Sequence, residues 1–205
     1  GTGKTTCARL LQKFLVAYGL VPRDVMVETN ALQLKGQYLG QTAPKVRDAV
    51  RSAMGGVLFL DEAHALAGDR RAHGADHFSQ EAVRTLLTEV ENARTGLCVV
   101  LCGYKGPMDE LMELDPGLRR RFPGLVELED YTPAELARIA AKTAAERFDM
   151  ELAAGLEAAL TREIATAHAA DIARLNASLP VDLVEAAVMR MTERVTCAEE
   201  AGAAG

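Results

Sequence analysis

Apolar positions in the first 130 residues fall into two kinds of run. Leu10, Leu11, Phe14, Leu15 and Tyr18 recur at helical spacing and predict a helix over residues 5–18. Val46, Ala49, Val50, Ala53 and Met54 form the buried stripe expected of a second helix, opened by Pro44. Val83, Leu86, Leu87 and Val90 are the inward positions of a third, over residues 79–92. Between these lie short continuous runs that read as strands: residues 25–27, Val57-Leu58-Phe59-Leu60 after the break at Gly55-Gly56, and residues 97–102. A last run, residues 125–128, is expected to close the sheet. Strands without alternation, separated by helices, argue for a parallel sheet covered on both faces. Residues 68–76 are polar and contain glycine, and read as a mobile loop.

The pattern changes after Asp130. Thr132-Pro133-Ala134-Glu135 is a capping box with proline at the first helical position. Helices are expected over residues 133–148, over 151–176 with a break, and over 180–197, with a frayed tail at 199–205. The expected organisation is therefore a large α/β domain, residues 1–130, and a small helical domain, residues 131–205.

Composition narrows this further. Of 205 residues, 49% are hydrophobic but only 4% aromatic, with no Trp, so the core must be aliphatic. The net charge of −6 and the lack of a long basic stripe argue against nucleic acid as a partner. No apolar run approaches the ~20 residues of a membrane span, so no membrane partner is expected. Cys7, Cys98, Cys102 and Cys197 read as reduced core residues of an intracellular protein. The expected location is the cytoplasm, with a plastid as the alternative, because a targeting peptide would lie upstream of Gly1.

The chemistry is concentrated in two places. Gly1-Thr2-Gly3-Lys4-Thr5 matches the last five positions of the phosphate loop G-x-x-x-x-G-K-[ST]. Glycines there let backbone N–H groups turn onto phosphates, Lys4 would reach the β- and γ-phosphates, and the Thr5 hydroxyl would bind Mg²⁺. The helix that follows aims its positive end at the same anion. A chance glycine-rich turn is the bland alternative; an apolar strand ending in Asp61-Glu62 weighs against it. At that strand end Asp61 can hold Mg²⁺ through water, and Glu62 can polarise an attacking water.

With these pieces in place the chain resembles AAA+ ATPases, and more narrowly the group containing red-type Rubisco activase and the stage V sporulation protein K. The carriers are Gly1-Thr2-Gly3-Lys4-Thr5-Thr6, the stretch from Gly36-Gln37-Tyr38-Leu39-Gly40 to Lys45, Gly56 to Ala63, Cys102-Gly103-Tyr104, and Asp115-Pro116-Gly117-Leu118-Arg119-Arg120-Arg121-Phe122. The resemblance implies a P-loop sheet flanked by helices and followed by a helical lid. ATP and Mg²⁺ would sit against Gly1, Thr2, Gly3, Lys4, Thr5, Thr6 and Asp61. It further implies a homo- or hetero-oligomeric ring, usually a hexamer, that grips a protein client. Tyr38-Leu39-Gly40 falls where the family has its pore loop, and residues 68–76 would form a second central loop. Arg119 and Arg121 match arginines that reach a neighbouring subunit's γ-phosphate, with Arg120 taking the role if the register slips. Because the strand ahead of the phosphate loop lies mid-sheet in this fold, the resemblance also implies that the sheet lacks its first strand here and that the chain is one module of a longer one.

Past residue 139 the likeness thins. The group carries Gly-Asn-Ala-Arg before its last lid helix; here Leu175-Asn176-Ala177-Ser178 stands in that place, with Ser178 at the arginine and Arg174 a turn away. Two functions follow. The first is ATP hydrolysis driving protein remodelling, with Rubisco as one possible client. The alternative is an ATP-binding, weakly hydrolysing module that scaffolds or regulates a larger assembly. A clamp-loader or helicase-like role on nucleic acid comes third, disfavoured by the acidic charge.

Overall fold

The computed structural model describes residues 2–36, 38, 40–68, 77–93 and 96–203, with side chains through residue 196. Two compact units emerge: Lys4–Val126, and Glu127–Gly205 together with Gly1–Gly3.

The first unit runs α1 (Lys4–Ala17), β1 (Met26–Asn30), α2 (Ala31–Leu34), α3 (Thr42–Ala53), β2 (Val57–Asp61), a short 3-10 helix (Ala63–Ala67), α4 (His77–Asn92), β3 (Cys98–Leu101), α5 (Lys105–Leu114) and α6 (Pro116–Arg121). The three strands form one parallel sheet in the order β1-β2-β3. β2, paired on both sides, is the most deeply buried strand, and its four apolar residues are almost fully enclosed. That is why its sequence is apolar without alternation. Val46, Val50 and Ala53 of α3 and Ala82, Val83 and Leu86 of α4 complete the core beside it. Gly56 lets β2 start against β1: a Cβ there would stand 2.2 Å from the carbonyl oxygen of Val25. No helix among the described residues is long and apolar enough to cross a membrane.

Several expectations are corrected. Residues 125–128 form no strand, and Leu125 is 78% exposed. An apolar run becomes a strand only when it pairs with a neighbouring strand, and the sheet of the described residues runs β1-β2-β3 without it. The helix over 5–18 is present as α1, but Leu10, Phe14 and Tyr18 face outward, with the Phe14 and Tyr18 rings 4.3 Å apart. Its buried positions are Ala8 and Gln12, the latter donating to the Asp24 carboxylate. Helical spacing identifies the helix; the neighbours that pack on it decide which face is buried. Met54 caps α3 from outside the stripe, and its carbonyl accepts from Arg23. The first strand is longer than residues 25–27 and ends at Asn30. Cys7 is exposed rather than in the core, while Cys98 and Cys102 are half-buried free thiols. The Cys197 side chain, Gly1, Leu39 and residues 69–76 of the expected second loop lie outside the described set.

The second unit is helical: α7 (Pro133–Phe148), α8 (Leu156–Ala167), α9 (Ala169–Leu175) and α10 (Ser178–Ala203). The break expected within 151–176 falls at His168. The capping box forms as read, with the Thr132 hydroxyl accepting from the Glu135 N–H and the Glu135 carboxylate accepting from the Thr132 N–H. Leu136, Ile164 and Leu179 join α7, α8 and α10, and Ala140, Ala144 and Val184 extend the contact along α7 and α10. Asn176, in the turn between α9 and α10, is buried at φ 48°; it accepts from the Tyr131 N–H at 3.0 Å and donates to Asp130 at 2.7 Å.

Candidate functional site

The α1 helix starts at Lys4 with no acidic residue in its first turn, so nothing there competes for its positive end. Gly3, just before it, has φ +79°, a conformation open to glycine without steric cost. Thr2 and Thr5 are half-buried and Thr6 is exposed. Across the sheet, Asp61 closes β2 and pairs in register with Asn30 at the end of β1.

Lys4 and Asp61 meet electrostatically at Cys102, the residue after β3. Its thiol is pushed above the ordinary range first by burial, then by the Asp61 charge, with Lys4 pulling the other way. The Cys102 N–H donates to Leu60 and its carbonyl accepts from Ala63, which ties the β3 exit to the segment carrying Asp61 and Glu62. The Lys4 ammonium lies over the Tyr104 ring, 4.8 Å from its centroid.

Glu62 takes the left-handed conformation, φ 48° and ψ 38°. For a residue other than Gly, Asn or Asp this is uncommon and costs on the order of 1–3 kcal/mol. The turn is held by the Glu62 N–H donating to Asp61 at 2.9 Å and by the Asn30 amide donating to the Glu62 carboxylate at 2.9 Å. Asn30 was not singled out in the sequence. Its signal was there: an Asn with Gln33 three residues on is a helix-capping pattern, and both halves of the box form at α2.

These residues suit a magnesium nucleotide. Mg²⁺ keeps most of its waters and takes one or two protein ligands, and one carboxylate, Asp61, with one hydroxyl, Thr5, is that kind of donor set. The Lys4 ammonium, resting on a ring face with no carboxylate paired to it among the described residues, is available to a phosphate.

Tyr38 and the arginines sit on other elements. Tyr38 is 70% exposed in a turn closed by Gln41, whose N–H donates to the Tyr38 carbonyl and whose side chain accepts from the Tyr38 N–H. Gly40 follows at φ +83°. Thr42 is fully buried and accepts from Gly36, fixing the base of the turn. Arg119, 62% exposed, lies 3.7 Å from Glu113. Arg120 is exposed. Arg121 is only 20% exposed and pairs with Glu91 at 2.9 Å, leaving its Nε buried without a partner. Of the two arginines expected to act on a neighbour, one is presented to solvent and the other is held within its own chain. In the helical unit Ser178 begins α10 and is exposed, and Arg174 pairs with Asp171 at 2.8 Å.

Residues 1–130 match the model of the ATPase family associated with various cellular activities (AAA). Over 140 residues the chain is 43% identical to the ESX-1 secretion system protein EccA1 of Mycobacterium tuberculosis H37Rv, covering 68% of this chain and 24% of that one. It is 41% identical over 165 residues to protein CfxQ of Xanthobacter flavus, covering 80% of this chain and 51% of the relative. Stage V sporulation protein K of Bacillus subtilis is 37% identical over 147 residues, 72% of this chain and 44% of that protein. The chain thus spans from about a quarter to about half the length of these relatives. A chain of the solved E. coli MS115-1 HORMA:CdnC:Trip13 complex shares the fold, with a TM-score of 0.54 at 18% identity over 79% of this chain and 55% of that one.

Proposed function

The chain belongs to the AAA family of ATPases, and from that premise we propose that it binds and hydrolyses ATP as part of an oligomeric ring that remodels a protein client inside the cell. The observation that carries this reading is the convergence on one sheet end of Lys4 at a helix N-terminus, Asp61 at the end of β2, and Glu62 in a strained turn braced by Asn30.

In this mechanism Lys4 and the N–H groups of the α1 start bind the phosphates. Thr5 and Asp61 would hold Mg²⁺, which neutralises charge on the phosphate oxygens. Glu62 orients the attacking water and accepts its proton. Arg119, and Arg121 once it leaves Glu91, would meet the phosphate of an adjoining subunit. Tyr38, Leu39 and Gly40 would grip the client at the ring's centre. A hexamer and a Rubisco activase-like role, with Rubisco as the client, are the specific forms favoured by the likeness to the Rubisco activase group.

The second reading, an ATP-binding module with little turnover, rests on Ser178 where the group carries an arginine, and on Arg174 being paired with Asp171. Steady-state phosphate release decides between them, measured in the full-length protein. Glu62→Gln should keep MgATP binding and lower turnover by about 10²-fold or more, the usual contribution of a general base. Equal rates in wild type and variant would remove Glu62 from the mechanism. Binding with no measurable turnover in the wild type would favour the second reading.

A further inference from the structure

We propose that Tyr104 is a resting place for the Lys4 ammonium, which the ring holds until phosphate takes it, so that Tyr104 sets the affinity for nucleotide. This rests on the phosphate-binding role proposed above for Lys4.

The placement of the ring is over-determined. Tyr104 is extended, φ −84° and ψ 143°, and caps α5. Gly103 before it leaves room that a side chain would fill: a Cβ there would stand 2.7 Å from the Met108 sulfur and 2.9 Å from His64 Nδ1. The His64 imidazole packs near the Tyr104 ring, centroids 5.9 Å apart and planes 59° apart. His64 lies on the short helix that follows Glu62, so the ring is braced from the segment that carries the acidic pair. The Lys4 ammonium lies 4.8 Å from the ring centroid, inside the ~6 Å limit for attraction between a cation and an aromatic quadrupole.

A flexible lysine with no ion-pair partner among the described residues would otherwise sample many rotamers in water. The ring gives it one preferred position, and that position competes with the phosphate. Nucleotide must then bind the fraction of molecules in which Lys4 has left the ring, or displace it, and either route weakens apparent affinity by the strength of the resting contact. At an exposed ring that strength corresponds to about two- to five-fold in binding. The effect depends on the π face and not on the hydroxyl, so phenylalanine should preserve it.

The test is equilibrium binding of MgATP to the full chain carrying Tyr104→Phe, Tyr104→Ala, Lys4→Ala, or Lys4→Ala with Tyr104→Ala. Tyr104→Phe should match wild type, and Tyr104→Ala should bind about two- to five-fold more tightly. In the Lys4→Ala background, removal of the ring should have no effect. Weaker binding in Tyr104→Ala would overturn the proposal and make the tyrosine a direct ligand contact; Tyr104→Phe behaving like Tyr104→Ala would overturn it by placing the effect on the hydroxyl. The resting contact is also readable without nucleotide. The Lys4 side-chain methylene protons should carry a ring-current shift in the NMR spectrum that disappears in Tyr104→Ala and returns toward solvent values on adding MgATP. If wild type binds no nucleotide yet shows that shift, the proposed ATPase role fails. If it binds nucleotide and the shift is absent, the resting contact fails.

Discussion

The side-chain amide of Asn30 donates to the carboxylate of Glu62 at 2.9 Å, from the strand on the opposite side of β2 from β3. Lys4 rests on Tyr104, two residues past the end of β3's extension at Cys102. Asn30 therefore draws the Glu62 carboxylate toward β1, away from the β3 side of the sheet where Lys4 rests. The same Asn caps α2 through its side-chain oxygen, accepting from the Leu32 N–H at 2.8 Å.

Separating those two roles gives the first expectation. Asn30→Ser keeps an N-cap acceptor but loses the amide that reaches Glu62. A charge-assisted hydrogen bond at an exposed site is worth about 1 kcal/mol once solvent competition is counted. Basal phosphate release should therefore rise a few-fold, with MgATP affinity unchanged and stability lowered by no more than about 1 kcal/mol. A fall in turnover would mean that Asn30 orients Glu62 for the reaction instead of restraining it.

The arginines separate by their surroundings. Arg121→Ala breaks the ion pair of a largely buried guanidinium with Glu91 and should lower stability in the isolated chain by about 1–3 kcal/mol. Arg119→Ala breaks only a loose surface contact and should leave the unfolding midpoint in place. Both should reduce hydrolysis only where subunits assemble. Mixing either variant with Lys4→Ala subunits should restore some activity, because each supplies what the other's site lacks. Mixed rings that stay inactive at every ratio would leave Arg121 with a structural role alone.

Much of the fold around these residues was legible in the sequence, and the parts that were not share a physical reason. The apolar run 57–60 with Asp61-Glu62 behind it identified β2, since only a doubly covered strand tolerates four consecutive large apolar residues. Thr132 to Glu135 announced a helix start because both halves of its cap lie within four residues. Asn30, by contrast, draws its meaning from Glu62, 32 positions away and adjacent only through strand pairing. The exposure of Leu10 and Phe14, the failure of residues 125–128 to form a strand, and the pairing of Arg121 with Glu91 likewise depend on which surfaces meet. Local periodicity carries no information about that.

Tyr38 offers a sharp contrast between binding and work. Its ring is exposed, and its turn is secured by Gln41 and Thr42 without using the phenol. Tyr38→Ala should leave folding and MgATP affinity untouched while abolishing work on a client; Tyr38→Phe should retain it. Normal remodelling by the alanine variant would remove Tyr38 from the gripping role.

Asn176 carries the helical unit's most exacting turn. It sits at φ 48° and ψ −128°, a backbone region suited to glycine, yet its side chain is buried between the Tyr131 N–H and the Asp130 carboxylate. Asn176→Gly would relieve strain of order 1 kcal/mol and lose two hydrogen bonds, one of them to a charge, whose removal costs about 2–4 kcal/mol together. The glycine variant should therefore unfold earlier than wild type despite its easier backbone. Asn176→Asp keeps an acceptor for Tyr131 but sets a second carboxylate against Asp130. With the charged form disfavoured, the carboxyl pKa in the folded state rises above its unfolded value. The variant should be least stable at neutral pH and recover as pH falls through that raised value. Combining Asn176→Asp with Asp130→Asn restores one donor and one carboxylate in exchanged places, and should recover most of the loss at neutral pH. A double variant no more stable than Asn176→Asp alone would show that the pair does not act through this hydrogen bond.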